Sequence, residues 1–137
     1  MVRACLRQPT SGGADIVARA RSLIGVRFRP QGRDREGGLD CIGLAAAAVG
    51  AEQVRSDYAL RGGTLADLES ELGRSGLRRT DRRGAGDLLV MRSGAEQLHL
   101  GVWTGDGLVH ADAGLRRIVE RPGPPPWPIL SQWRVES

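Results

Sequence analysis

The apolar pattern of this chain changes period once, near Gly86, and that change limits the folds open to it. Before it, apolar residues recur at helical spacing. After it come short runs with strand character, separated by glycine-rich turns: "DLLVMR" (87–92), "LHLGVW" (98–103), "GLVHAD" (107–112), "RRIVER" (116–121) and a last "SQWRV". Helices first and an antiparallel sheet afterwards is an α+β layout, with N-terminal helices packed on a C-terminal sheet. At 137 residues the chain makes one domain with a real core. We read 1–13 as a flexible arm and 14–137 as a single domain.

Three helices are expected. In the first, from Ala14 to Ile24, the residues Ile16, Val17, Ala20, Leu23 and Ile24 share a face, and Gly25 closes it. The second begins at Asp40 or Cys41 and ends near Gly50; its run of alanines lets it press close against a neighbour. The third is capped by Thr64, with Asp67 in the capping-box position, an apolar stripe of Leu65, Leu68 and Leu72, and Gly73 and Gly76 at its end. The segments 29–38 and 78–86 read as polar loops, 56–63 as irregular, and "PGPPPWP" as a rigid connector.

Composition narrows the function. The net charge is +4, and all 20 basic residues are arginine. These arginines are scattered and interleaved with acids, and no nucleic-acid signature accompanies them, so specific nucleic-acid binding is not expected. No run reaches the length of a membrane span. The N-terminal stretch lacks the apolar core of a secretory signal, so the chain is expected to be made in the cytoplasm. The cysteines, Cys5 and Cys41, form neither a disulfide framework nor a C-x-x-C zinc site, and no metal or cofactor is expected.

Chemistry gathers around few residues. "LHLGVWTGDGLVHADA" reads as a hairpin turning at "TGDG". With an even-numbered loop, opposed positions sum to an odd number. His99, Gly101 and Trp103 then share a face with His110 and Asp112, and the two imidazoles stand within side-chain reach, with Gly101 leaving room beside them. Cys41 lies at a helix start, where the helix terminus and a nearby imidazolium favour the thiolate by several pKa units. The expectation is a thiol that reacts at mildly acidic pH. Thiol, imidazole and second polar ring make nucleophile, base and orienter, and the N–H groups at the helix start can hold an oxyanion. Plainer readings stand beside this one: a buried small cysteine, structural histidines, or a His110–Asp112 surface pair. Cys5, without helical periodicity around it, is the weaker nucleophile.

"ARSLIGVRFRPQGRDREGGLDCIGL" resembles the opening of NlpC-type cell-wall peptidases, which carry A-x-x-x-x-G-x-x-Y, a glycine-bearing loop and D-C-[SLI]-G-L. "GDLLVM…LHLGVWTGDGLVHA" is similar to their second half. The resemblance spans about Ala14 to Arg134 and implies a papain-like NlpC fold. It also implies hydrolysis of peptidoglycan stem peptides, commonly between D-glutamate and a diamino acid. Residue by residue it makes Cys41 the nucleophile, His99 the base, His110 its orienter and Asp40 a support for the loop before the helix. "PQG" and Ile42 resemble the phage-type subgroup, which implies a tail- or gene-transfer-particle enzyme that opens the wall locally, with tail proteins as partners. The chain departs from the family pattern twice. Phe28 stands where the family has Tyr, removing a phenol from the site. Ile42 replaces the usual Ser and makes that edge of the cleft more apolar. An amidase or acyltransferase using the same residues, and a catalytically vestigial particle component, are the rival readings.

Overall fold

The computed structural model describes residues 12–50, 64–95 and 97–135. Cys5, most of the N-terminal arm and the 56–63 segment lie outside the described residues. Among the described residues there are three helices: α1 (Gly13–Ser22), α2 (Cys41–Val49) and α3 (Leu65–Arg74). Strands β1 (Arg33–Asp34) and β2 (Gly38–Leu39) form a small antiparallel pair. Strands β3 (Leu77–Arg79), β4 (Leu88–Gly94), β5 (Gln97–Trp103), β6 (Gly107–Asp112), β7 (Arg117–Pro122) and β8 (Ile129–Val135) make one antiparallel sheet in the order β3-β8-β4-β5-β6-β7. The α+β expectation holds. Among the described residues no helix is long and apolar enough to cross a membrane.

The helices cover one face of the sheet. Ile16 and Ala20 of α1, Leu44, Ala45 and Ala48 of α2, and Leu68 and Leu72 of α3 are buried against Leu88, Val90, Leu98, Leu100, Val102, Val109 and Ile118. The methyl-sized side chains of α2 allow its close approach to α1 and β5. Fully buried Leu44 contributes about 2 kcal/mol by its area. The opposite sheet face carries a smaller cluster of Leu89, Met91 and Leu108, packed with Trp103, Trp127 and Ile129.

Local chemistry sets the ends of α2. Asp40 is its N-cap, accepting from Gly43 N at 2.9 Å. Gly50 closes it with φ +85°, a left-handed conformation that costs glycine little. Thr64 Oγ1 accepts from Asp67 N at 3.0 Å, as its position predicts.

The differences from expectation are local. Helix α1 stops at Ser22, with Leu23 as its C-cap, and Ile24 is 44% exposed rather than on the buried face. Helix α3 runs through Gly73 and ends before Gly76, which has φ +89°. The strands β1, β2 and β3 fall in segments read as loops, because two- and three-residue strands have no room to display a period. The hairpin parity is as expected: Gly101 opposes His110 and Trp103 opposes Leu108. Thr104 N donates to Gly107 O at 2.9 Å, so the turn is Gly105–Asp106, with Gly105 at φ +109°.

Candidate active site

His99 and His110 stand on the sheet face away from the helices, yet they line one cavity with the start of α2. The reason lies in the β5–β6 ladder. Strand β5 begins at Gln97 and β6 runs to Asp112, but the two pair only from Gly101–His110 to Trp103–Leu108. Where the ladder ends, the Leu100 backbone N–H is directed at the Cys41 sulfur. A cavity of about 730 Å³ lies at this end of the sheet. Cys41, His99 and His110 line it together with Phe28, Gln31, Asp40, Ser93, Gln97, Asp112 and Trp127.

The two imidazoles are joined directly. His99 Nε2 is 3.0 Å from His110 Nδ1, with ring centroids 5.1 Å apart and planes at 80°. One nitrogen of the pair must donate and the other accept. With Nε2 engaged, Nδ1 is the nitrogen His99 has left for the thiol. Among the described residues no hydrogen bond joins the sulfur to either ring.

The resting electrostatics differ from the sequence expectation. Burial pushes the Cys41 thiol up to about 12, and the Asp40 charge pushes the same way. The Leu100 N–H and Arg33 oppose this without reversing it. A helix start stabilises a thiolate only if desolvation does not cost more, and Cys41 is 3% exposed. Burial likewise lowers His99 to about 4, with a further downward push from His110 and an upward one from Asp112. His110 is lowered too, chiefly by burial. Burial thus favours the neutral form of the thiol and of both imidazoles.

Asp40 ties the start of α2, which carries Cys41, to the preceding loop. Its Oδ1 accepts from Arg33 Nη1 at 2.8 Å as well as from Gly43 N, and its Oδ2 accepts from Gln31 N at 2.9 Å. Gln31 is held at φ +59°, unusual for a residue with a side chain. Gly43 is required by the same contact: a Cβ there would run into the Gly32 carbonyl oxygen.

Of the residues singled out in the sequence, Cys41, His99, His110, Phe28, Asp40 and Asp112 line the cavity. Three do not. Ile42 is 8% exposed and packs in the core under the helices. Gly101 leaves no open room beside the rings, because the Leu108 side chain covers it. Trp103 points to the same face as His99 but packs with the smaller cluster, and its ring lies 5.0 Å beneath the Arg83 guanidinium.

Among the lining residues that the sequence reading did not single out, Trp127 touches both imidazoles. Trp127 meets His99 at 5.0 Å and 78°, and His110 at 5.4 Å and 85°, both edge to face. It comes from the connector, where Pro126 and Pro128 flank it and the Pro128 carbonyl accepts from Arg92 N at 3.1 Å. The signal was a large ring between two prolines, a stiff way of presenting it.

Solved structures share this fold. The NlpC/p60 domain of the peptidoglycan hydrolase SagA matches with a TM-score of 0.53 and 24% identity, over 81% of this chain and 89% of that one. NlpC1 and NlpC2 from Trichomonas vaginalis each match with a TM-score of 0.65, at 15% and 16% identity. Those matches cover 93% and 94% of this chain but 46% and 50% of theirs, so this chain spans about half their length. The fold is thus the papain-like NlpC/p60 arrangement. No protein-family model matches the chain, and no curated protein matches it in sequence.

Proposed function

We propose that this chain is a cysteine peptidase that cleaves peptide bonds in bacterial peptidoglycan stems, between D-glutamate and a diamino acid. One observation carries the reading. A cysteine at the first position of a helix and a hydrogen-bonded histidine pair line the same cavity. The fold shared with the domain of a named peptidoglycan hydrolase supports the substrate class.

The roles follow from the resting charges. His99 Nδ1 accepts the thiol proton as the sulfur attacks the carbonyl carbon, so charge separates only when substrate is bound. The imidazolium so formed donates from Nε2 to His110 Nδ1, with His110 carrying its own proton on Nε2. His99 then protonates the leaving amine, and the stem's acyl half stays on the sulfur as a thioester. A water molecule, deprotonated by His99, attacks that thioester and restores the thiol. N–H groups at the start of α2 hold the oxyanion in both halves. Phe28 supplies an apolar wall and no hydrogen bond.

The test is a muropeptide digest read by mass spectrometry, with wild type and Cys41→Ala side by side. A cut stem with wild type and none with the variant is expected; an uncut stem with both sinks the reading. Transfer of the acyl group to an amine would instead mark an acyltransferase. The burial that pushes the thiol up to about 12 favours, as a second reading, a vestigial site in an assembly protein. A stable complex with a tail protein and no wall turnover would decide for it. We also propose delivery on a phage-like particle, acting at the wall, supported by "PQG" and Ile42 of the sequence.

A further inference from the structure

The register of the sheet gathers arginines beside the imidazoles. Asp112 lies two residues beyond His110 on β6, on the same face, and lines the cavity. Directly opposite it on β7 is Arg117. Arg117 in turn opposes Arg27, where residues 25–28 run antiparallel along the free edge of β7. Further along that face of β7 stands Arg121, opposite Leu108, and its charge is felt by His110.

Like charges directly opposed across a ladder, with Cβ atoms about 5 Å apart, destabilise the pairing. This chain has acids with which to avoid the cost: Arg21, Arg33, Arg74, Arg79 and Arg134 each pair with a carboxylate. Arg27 and Arg117, like several other exposed arginines, do not, and these two oppose each other across a bridge at the edge of the sheet. Both are exposed, and among the described residues neither has an ion-pair partner. Arg117 Nε only donates to the Leu115 carbonyl at 3.4 Å. Asp112, the acid opposite, turns Oδ1 to the Leu115 N–H at 2.9 Å.

We infer that Arg27 and Arg117 form a carboxylate-binding subsite at the edge of the cleft, which takes an acidic residue of the peptide near the scissile bond. The inference rests on the peptidase reading and adds a substrate preference to it. Two strand spacings put Arg27 about 10 Å from Asp112, and an extended peptide covers about 3.3 Å per residue. A carboxylate about two or three residues from the reacting carbonyl, or on a long side chain nearer to it, reaches the pair. Two guanidinium groups converging on one carboxylate make charge-assisted hydrogen bonds and discriminate against its amide.

The test uses the full chain carrying Cys41→Ala and two fluorescent stem peptides, one with free carboxylates and one with carboxamides in their place. By anisotropy at low salt the acidic peptide should bind about tenfold more tightly than its amidated twin. Adding Arg27→Gln and Arg117→Gln should bring the two peptides level. The melting temperature should not fall, because a repulsion has been removed. Equal binding of both peptides by the parent, or an unchanged preference in the arginine variant, overturns the subsite and leaves the peptidase reading standing. A parent that binds neither peptide overturns the subsite, and a wild type that also cleaves neither overturns both.

Discussion

His99 Nε2 and His110 Nδ1 meet at 3.0 Å across two neighbouring strands, although their residues are not directly opposed in the ladder. His110 opposes Gly101, so the bond is made on the diagonal, at the point where the strands part. That geometry fixes the orientation of both rings at the cavity that Cys41 also lines.

Cys41 should alkylate slowly at neutral pH. With the thiol pushed up to about 12, its thiolate fraction grows about tenfold per pH unit well into the alkaline range. Iodoacetamide labelling of Cys41, followed by mass spectrometry from pH 6 to 10, should show this slope and a sharp acceleration on unfolding. A rate already at its plateau at pH 6 would reveal a preformed thiolate and contradict the burial argument.

Acid should weaken the fold through His99. Its folded value, lowered to about 4, lies below the ordinary imidazole value of 6.5, so between these pH values the unfolded chain binds the extra proton. The stability from this group is whole above pH 6.5 and is lost as pH falls toward 4. Denaturant melts across that window should show the decline, and His99→Gln should flatten it. The acid limb of activity should sit near pH 4, not 6.5.

Trp127 should act through the imidazoles. Trp127→Ala admits water to the His99–His110 bond and removes two edge-to-face ring contacts, each worth about 1 kcal/mol. We expect kcat/KM to fall by about tenfold and the acid limb to move up toward pH 6.5, while Trp127→Phe keeps most of both. A loss of stability with an unmoved pH profile would reduce Trp127 to packing.

Asp40→Ala should cost about 3 kcal/mol, since it removes a helix cap and one partner of a largely buried ion pair. Asp40→Asn keeps the cap and should cost less, yet it should still lower activity by loosening Gln31. Thermal melts and the muropeptide digest, run on both variants, separate the two effects.

The residues of the sequence determined much of this protein by local chemistry. The period change at Gly86 set helices before sheet, Asp40 and Gly50 set the ends of α2, and the even turn at Gly105–Asp106 put both histidines on one face. These depend on spacing and capping, which neighbours along the chain decide. The tertiary structure decided the rest, because burial is a property of the assembled fold. It placed Leu108 over Gly101 and set Trp127 against the imidazoles from a connector that shows no period. It also reversed the expected charge of Cys41, since the desolvation that outweighs a helix start exists only once the sheet has closed over the sulfur.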